Sequence, residues 1–307
     1  MPGFPLYYHP LYSDGLDAAA RFPVQRYRLI AERLAELDGG RKIEVREPRP
    51  ALREEILLAH DEGFVDRFLA FELNEGEIRR IGLRPWKKEI VPRTMRLVGG
   101  ALEGLFEVLE NGLLAGNMAG GTHHAFRDCG AGYCIFNDLA ICAFRALTDP
   151  RVNRILILDL DVHQGDGTAE ILKDEGRVHT VSLHGAGNFP FRKKISDLDV
   201  AFANGTGDEE YLGELGSVLG KLSGQGFDLV FLQAGVDGLT EDGLGLLDLT
   251  RPGLRERNRM VLEWRRREGV PMLIFMGGGY SSPIDHTVEA FCDLFLAAGK
   301  EFSDGSA

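Results

Sequence analysis

The sequence has few cysteines, no long apolar run and no excess of positive charge. Its four cysteines form no CxxC pair, so we expect reduced thiols and neither a disulfide framework nor a thiolate zinc site: Cys129, Cys134, Cys142 and Cys292. No apolar run approaches the roughly 18 residues of a membrane helix, and the N-terminus shows no secretory signal pattern. These absences predict a cytoplasmic protein without a membrane partner.

The charge balance bears on the partners of the protein. The 307 residues include 35 Lys and Arg against 47 Asp and Glu, which gives a formal net charge of −12. Proteins that bind DNA or RNA usually gain affinity from clustered basic side chains, so we expect no direct nucleic-acid ligand. A chain of this length can bury about three quarters of its unfolded surface around one core.

Apolar runs and helical patterns alternate along the chain. Runs rich in Ile, Leu and Val predict strands over residues 42–46, 155–160, 178–183, 229–233 and 272–276. Helices are predicted over residues 24–37, 54–60, 64–70, 94–111, 137–147, 169–174, 209–222, 253–267 and 287–298, with Asp208 as the N-cap of the helix at 209–222. This alternation favours one α/β domain over residues 1–302, with a mostly parallel central sheet flanked by helices and a short disordered tail at 303–307.

Acidic side chains and a histidine follow two of the predicted strands. Asp159, Asp161 and His163 occupy alternate positions where one strand ends, so their side chains leave from one face. Asp237 follows a second strand, and ligands of parallel sheets bind at this edge. Crowded carboxylates call for a cation, which makes Asp161, His163 and Asp237 candidate ligands of a catalytic zinc, with Fe(II) or Mn(II) as alternatives. Taken alone, the same residues could cap turns.

Two further motifs add candidate catalytic groups. His123 and His124 follow a glycine pair, and one could serve as general base while the other stays cationic. Asp159 and Asp166 are then available to orient them. Tyr280 follows three glycines and could donate a hydrogen bond to a developing oxyanion. Each motif also has a plain structural explanation, a surface histidine pair or a tyrosine packed on the sheet.

Together these segments resemble the zinc-dependent histone deacetylase family, which has the arginase/deacetylase fold. GGTHHAF, GYCIFND, DLDVHQGDGT, SLHG, QAGVD and GGGY occur in the order and spacing of that family. The N-terminal YYHPLY and ARFPVQRYRLI resemble its class IV-like and bacterial members. The resemblance therefore extends over most of the chain.

The resemblance implies roles for individual residues. Asp161, His163 and Asp237 would bind zinc, and Tyr280 and the metal would share the acyl carbonyl oxygen. His124 would act as base and then acid, with His123 as its electrostatic partner. Asp159 and Asp166 match the acids that orient His123 and His124.

Further positions follow from the same resemblance. Tyr133 and Phe189 match the aromatic walls of the tunnel that grips the acyl-lysine stem. A structural potassium ion is implied at Asp159, Asp161, His163, Ser182 and Leu183. Arg21 resembles a basic residue near the exit channel for acetate, although a surface arginine is the plainer explanation. Gln164 and Gly238 depart from the family pattern, and Asp61 and Glu62 are weak candidates for a substrate clamp.

The leading hypothesis is a metal-dependent deacylase that removes acetyl or a longer acyl group from Nε-acyl-lysine in a protein or peptide. An acetylpolyamine or other small acylated amine is the rival substrate. A non-catalytic acyl-lysine binder is disfavoured, because every catalytic position is filled. A two-metal ureohydrolase would resemble DAHxD, and here Gly165 follows two positions after His163. Oligomeric state and acyl-chain length do not follow from the sequence.

Overall fold

The computed structural model describes residues 3–14, 16 and 20–305. Its strands are β1 (Phe4–Tyr7), β2 (Ile43–Arg46), β3 (Leu114–Asn117), β4 (Ile155–Asp159), β5 (Val178–Gly185), β6 (Leu198–Phe202), β7 (Leu229–Gln233) and β8 (Met272–Phe275). They pair in parallel in one eight-stranded sheet of order β2-β1-β3-β8-β7-β4-β5-β6. The predicted α/β class with a parallel central sheet is confirmed.

Helices connect the strands. They are α1 (Arg26–Asp38), α2 (Arg53–Ile56), α3 (Glu62–Leu69), α4 (Glu75–Ile81), α5 (Ile90–Asn111), α6 (Asp138–Ala146), α7 (Asp166–Leu172), α8 (Asp208–Leu222), α9 (Arg251–Glu268) and α10 (Asp285–Gly305). A 3₁₀ helix spans Pro10–Ser13. In the described part of the chain, no helix is both long and apolar enough to cross a membrane. The four cysteines are free thiols, and all except Cys129 are buried.

Several predicted boundaries differ from the structure. Asp208 is the first residue of α8, and Gly207 precedes it as N-cap, so the N-cap prediction was wrong. The Asp208 carboxylate instead accepts hydrogen bonds from the amide and hydroxyl of Thr250. Helix α10 continues to Gly305 and so includes residues 303–305 of the predicted tail. Residues 306–307 lie outside the described residues.

The central strands position the functional side chains. Every residue of β4, β7 and β8 is buried. Because all strands are parallel, their carboxyl ends lie along one edge of the sheet, where loops can hold polar groups. The segments after β3, β4, β7 and β8 therefore meet at that edge.

Candidate active site

Three ionisable side chains meet beyond the carboxyl ends of β4 and β7. Nδ1 of His163 lies 3.0 Å from Oδ1 of Asp161 and 3.1 Å from Oδ2 of Asp237. One potential ligand atom from each residue lies within 4.8 Å of the others, and all three residues are buried. The structure thus brings together the three residues that the sequence predicted as metal ligands.

This donor set fits one divalent cation. Burial and the neighbouring Asp161 carboxylate raise the pKa of Asp237, as expected where two buried carboxylates lie side by side without a cation. One imidazole nitrogen and two carboxylate oxygens suit zinc, and also Fe(II) or Mn(II). Within the described residues the cluster has three members, so a metal held by them would have a coordination position for water or substrate.

Glycines allow the backbone to approach these carboxylates closely. The amide of Gly278 donates to Oδ2 of Asp161 over 2.7 Å. A Cβ at Gly278 would lie 1.9 Å from Oδ2 of Asp237, and one at Gly235 would lie 2.3 Å from Oδ2 of Asp161. Glycine is therefore required at positions 235 and 278 by the space around the two acids.

The two adjacent histidines are each held by a buried acid. Nδ1–H of His123 donates to Oδ2 of Asp159 over 2.7 Å, and Nδ1–H of His124 donates to Oδ1 of Asp166 over 2.7 Å. These are the pairs that the resemblance implied. With Nδ1 of His124 engaged, the opposite ring nitrogen, Nε2, is the one that can accept a proton.

The electrostatic surroundings of the two histidines differ. Burial lowers the pKa of His123, but attraction to Asp159 and Asp161 outweighs it, and the pKa rises to about 9. Burial and the neighbouring His123 lower the pKa of His124 to about 4. Their rings lie 4.1 Å apart between centroids. Within the pair, the surroundings of His123 favour the cationic imidazole and those of His124 favour the neutral one.

The loop that carries both histidines is fixed by Asp138, the first residue of α6. Its carboxylate accepts hydrogen bonds from the amides of Gly121 and Thr122 and from the Thr122 hydroxyl. Gly120 and Gly121 have φ angles of 82° and 73°, a conformation that glycine adopts most easily. Sequence reasoning assigned no role to Asp138, although its position in the FND segment, at the start of a helix, was a usable signal.

Tyr280 lies beside the candidate metal ligands. Its ring centroid is 6.5 Å from that of His163, and burial raises the pKa of its hydroxyl, which keeps it protonated as a donor. The Tyr280 amide donates to Oδ2 of Asp242 over 2.6 Å, and its carbonyl accepts from the Gly243 amide. Asp242 is thus a second positioning residue that the sequence did not reveal.

Buried Arg26 of α1 also fixes the glycine turn, residues 277–279, that precedes Tyr280. Its guanidinium donates to the carbonyl oxygens of Gly277 and Gly279, each over 2.9 Å. Arg26 also lines an inner cavity of about 50 Å³, together with Arg93, His123 and Tyr280. Arg26 went unnoticed in the sequence because more than 250 residues separate it from the turn.

An outer cavity of about 460 Å³ leads from the surface to the site. Tyr133 and Phe189, predicted as tunnel walls, both line it with His124, His163 and Tyr280. Tyr133 has a φ of 67°, and its amide donates to the Ile81 carbonyl over 2.7 Å. The Phe189 ring lies 4.8 Å from that of His124. The two aromatic side chains therefore border the approach to the histidines.

Three further residues from the sequence analysis lie away from the inner cavity. Arg21 is exposed and lines the outer cavity, which agrees with the plainer explanation of a surface arginine. Asp61 is exposed in a separate depression, and Glu62 pairs with Arg53 on the surface. Neither acid lines the outer cavity.

The residues implied for a potassium ion lie at the same sheet edge. Asp159 and Ser182 are register partners on β4 and β5, and Leu183 follows Ser182. The side chain of Gln164 forms two hydrogen bonds with the backbone of Lys194. Its NH₂ group donates to the Lys194 carbonyl, and its amide oxygen accepts from the Lys194 N–H. Gln164 therefore ties the loop that carries Phe189 to the metal-binding segment.

Known proteins share this architecture and sequence. Residues 20–294 match the family model described as Histone deacetylase domain. The chain is 42% identical over 297 residues to an uncharacterized protein of Picosynechococcus sp., with 96% of this chain and 98% of that protein covered. It is 30% identical over 244 residues to Histone deacetylase 2 of Arabidopsis thaliana, and the match covers 76% of this chain and 62% of that protein.

A solved structure shows the same fold. The HDA15 HD domain superimposes with a TM-score of 0.82 at 20% sequence identity, over 98% of this chain and 90% of that one. Fold, site and relatives together define a deacetylase-type hydrolase with the arginase/deacetylase fold. The chain belongs to the histone deacetylase family, whose domain model matches most of its length.

Proposed function

We propose that the protein is a zinc-dependent deacylase that removes acetyl or a longer acyl group from Nε-acyl-lysine. One observation supports this proposal above all. The cluster of Asp161, His163 and Asp237 lies together with His124 and Tyr280 at the inner end of a cavity with aromatic walls. Its substrate would be a protein or peptide in the cytoplasm, with no nucleic acid or membrane as partner. Asp159, Asp161, His163, Ser182 and Leu183 would hold a structural potassium ion.

Each of these residues has a separate role in the proposed hydrolysis. A metal bound by the three ligands would supply a Lewis acid that activates water and polarises the acyl carbonyl. His124 accepts the proton from water and then delivers it to the leaving amine, while Asp166 fixes its orientation. The Tyr280 hydroxyl donates to the carbonyl oxygen as negative charge develops there. The walls at Tyr133 and Phe189 hold the apolar lysine stem.

Tyr280→Phe is expected to lower turnover of an acyl-lysine peptide by about 10²–10³, the usual effect of removing one oxyanion donor. Substrate affinity and metal content should change little, because the ring and the three ligands remain. Steady-state kinetics and metal analysis of the purified variant measure both. Tyr211→Phe, at a buried position of helix α8, is the matched control and should keep wild-type turnover. Wild-type turnover in Tyr280→Phe would contradict the oxyanion role.

Linear hydroxamates are expected to inhibit at micromolar concentrations. A bidentate chelating group on an apolar stem can occupy the metal and the space between Tyr133 and Phe189 together. Phe189→Ala should weaken inhibition, while Phe227→Ala, beside His179 and away from the cavity, should not. Inhibition constants from competition with an acyl-lysine substrate provide the measurement. If no linear hydroxamate inhibits, the assignment of these two walls is wrong.

A further inference from the structure

Exposed apolar side chains gather at the mouth of the outer cavity. Phe191 and Leu246, which line this cavity, are 88% and 42% exposed, and we call the two together the apolar rim. Ile195, four residues after Phe191 in the same loop, is also 88% exposed. Among the described residues two more large apolar side chains are exposed, Val45 and Leu52, and neither lines the outer cavity. Grouped apolar side chains of this kind mark a binding surface.

A row of rings joins the apolar rim to the candidate catalytic base. The Phe191 ring lies 6.3 Å from that of Phe189 in an edge-to-face arrangement. The Phe189 ring lies in turn 4.8 Å from that of His124. A lysine stem that leaves the site between the aromatic walls would therefore pass Phe189 first, and the part of the substrate that follows the stem would meet Phe191 at the surface.

Hydrogen bonds fix the two loop segments that form the apolar rim. The Asn188 side chain donates to the Leu244 carbonyl over 2.9 Å and accepts from the Leu246 amide over 3.3 Å. The Lys193 ammonium donates to the carbonyls of Asn188 and Pro190 over 2.6 Å and 2.8 Å. A rim held in this way loses little conformational freedom when a ligand covers it, and this favours binding.

The lining of the outer cavity distinguishes between the two candidate substrates. No Asp or Glu of the described residues lines this cavity, so the ammonium groups of an acylated polyamine would have no carboxylate there. Such a chain also carries no side group that could cover the apolar rim. A peptide, in contrast, places the side chains of neighbouring residues beside the mouth, and burial of apolar surface between them and the rim stabilises the complex.

We infer that the substrate is a peptide or protein in which an apolar side chain flanks the acyl-lysine, and that Phe191 and Leu246 bind this side chain. This inference rests on the proposed deacylase function and specifies its substrate class. Phe191 is then a specificity-determining residue, because its ring contacts the substrate at a distance from the reacting atoms. Binding energy of this kind is equal in the ground state and the transition state, so it lowers KM and leaves kcat unchanged.

Matched peptides that differ in one side chain provide the test. The acetyl-lysine peptides carry either Leu or Asn, which have nearly the same shape, directly before or directly after the lysine, with Gly at the other neighbouring position. For metal-loaded protein we expect kcat/KM about threefold to tenfold higher for Leu at one of the two positions at least, through a lower KM, the effect of partly burying one apolar side chain. Acetylspermidine should be a poorer substrate than this Leu peptide.

Alanine variants show whether the apolar rim causes the preference. Phe191→Ala and Leu246→Ala should each reduce the preference for Leu over Asn, with a higher KM for the Leu peptide. Ile195→Ala is the matched control: it truncates an equally exposed apolar side chain of the same loop, one that does not line the outer cavity, and it should retain the preference. Thermal unfolding checks that all three variants fold.

A linear hydroxamate without a cap group tests the Phe189 wall separately from the rim. Its affinity should be similar in the wild type and in Phe191→Ala, because its stem ends before the rim. If Phe191→Ala weakens this hydroxamate as much as it weakens the Leu peptide, the effect belongs to the Phe189 wall and the inference is overturned.

The outcomes separate this inference from the proposed function. Equal kcat/KM within both peptide pairs, or an undiminished preference in Phe191→Ala, overturns the inference and leaves the deacylase proposal standing. Faster turnover of acetylspermidine than of either Leu peptide also overturns the inference. Absence of turnover with every substrate overturns the deacylase proposal. In that case the affinities of two hydroxamates capped by leucine amide or by asparagine amide decide the inference, and equal affinities overturn it.

Discussion

Asp237→Ala is expected to lose the bound divalent metal and to reduce deacylation by about 10³-fold or more, since a Lewis acid contributes several kcal/mol to such a reaction. Asp237 supplies one of three clustered ligand atoms, and two ligands seldom hold zinc tightly. The variant should still fold, because the change also removes a buried carboxylate that repels Asp161. Elemental analysis of the purified protein, beside turnover of an acyl-lysine peptide, gives two independent readings.

Asp174→Ala provides the control for this experiment. Asp174 is exposed and lies outside the cluster, so its removal should leave metal content and turnover unchanged. A chelator should reproduce the Asp237→Ala phenotype in the wild-type protein, and added zinc or another divalent ion should restore activity. Full metal content in Asp237→Ala, or full activity of metal-stripped wild type, would refute the assignment of the site.

His124→Ala is expected to lower turnover by about 10²–10⁴, the contribution of a positioned general base. Unlike Asp237→Ala, this variant should retain its metal, because His124 is not one of the three clustered ligands. The combination of full metal content and low kcat is therefore the diagnostic result. Kinetics and elemental analysis on the same preparation measure it.

His179→Ala is the matched control for the histidine variant. His179 lies on β5 away from its carboxyl end and packs near Phe227, so turnover should be unaffected. If His124→Ala kept wild-type turnover, another group would have to move the proton, and the role assigned to His124 would be wrong. Loss in this variant with normal turnover in Tyr280→Phe would preserve the hydrolase and discard only the role of Tyr280.

Sequence patterns predicted β2, β4, β5, β7 and β8 but missed β1, β3 and β6. The run at 229–233 coincides with β7. All five residues of this strand are buried, and all except Gln233 are apolar. Strand β1 was missed although it pairs on both sides, because it has four residues and includes Pro5, which lacks an amide donor. Edge strand β6 was missed because half-buried and exposed positions alternate over its first four residues and only Phe202 is buried.

The residues of the candidate site also differ in whether the sequence alone could predict their roles. Asp161, His163 and Asp237 could be grouped from sequence because parallel strands end at one edge, and the structure brings them together. Arg26 could not be assigned in this way, since its partners in the turn before Tyr280 are backbone carbonyls that only the tertiary fold brings near.

The Arg26 contact with Gly279 has a consequence for biosynthesis. The two residues are 253 positions apart, and a ribosome that adds about 5–20 residues per second needs about 10–50 s to make the intervening chain. Until Gly279 emerges, Arg26 has no carbonyl partner in that turn, and Tyr280 has not yet been synthesised. On the proposed deacylase function, the nascent polypeptide is therefore inactive until the segment after β8 joins the fold.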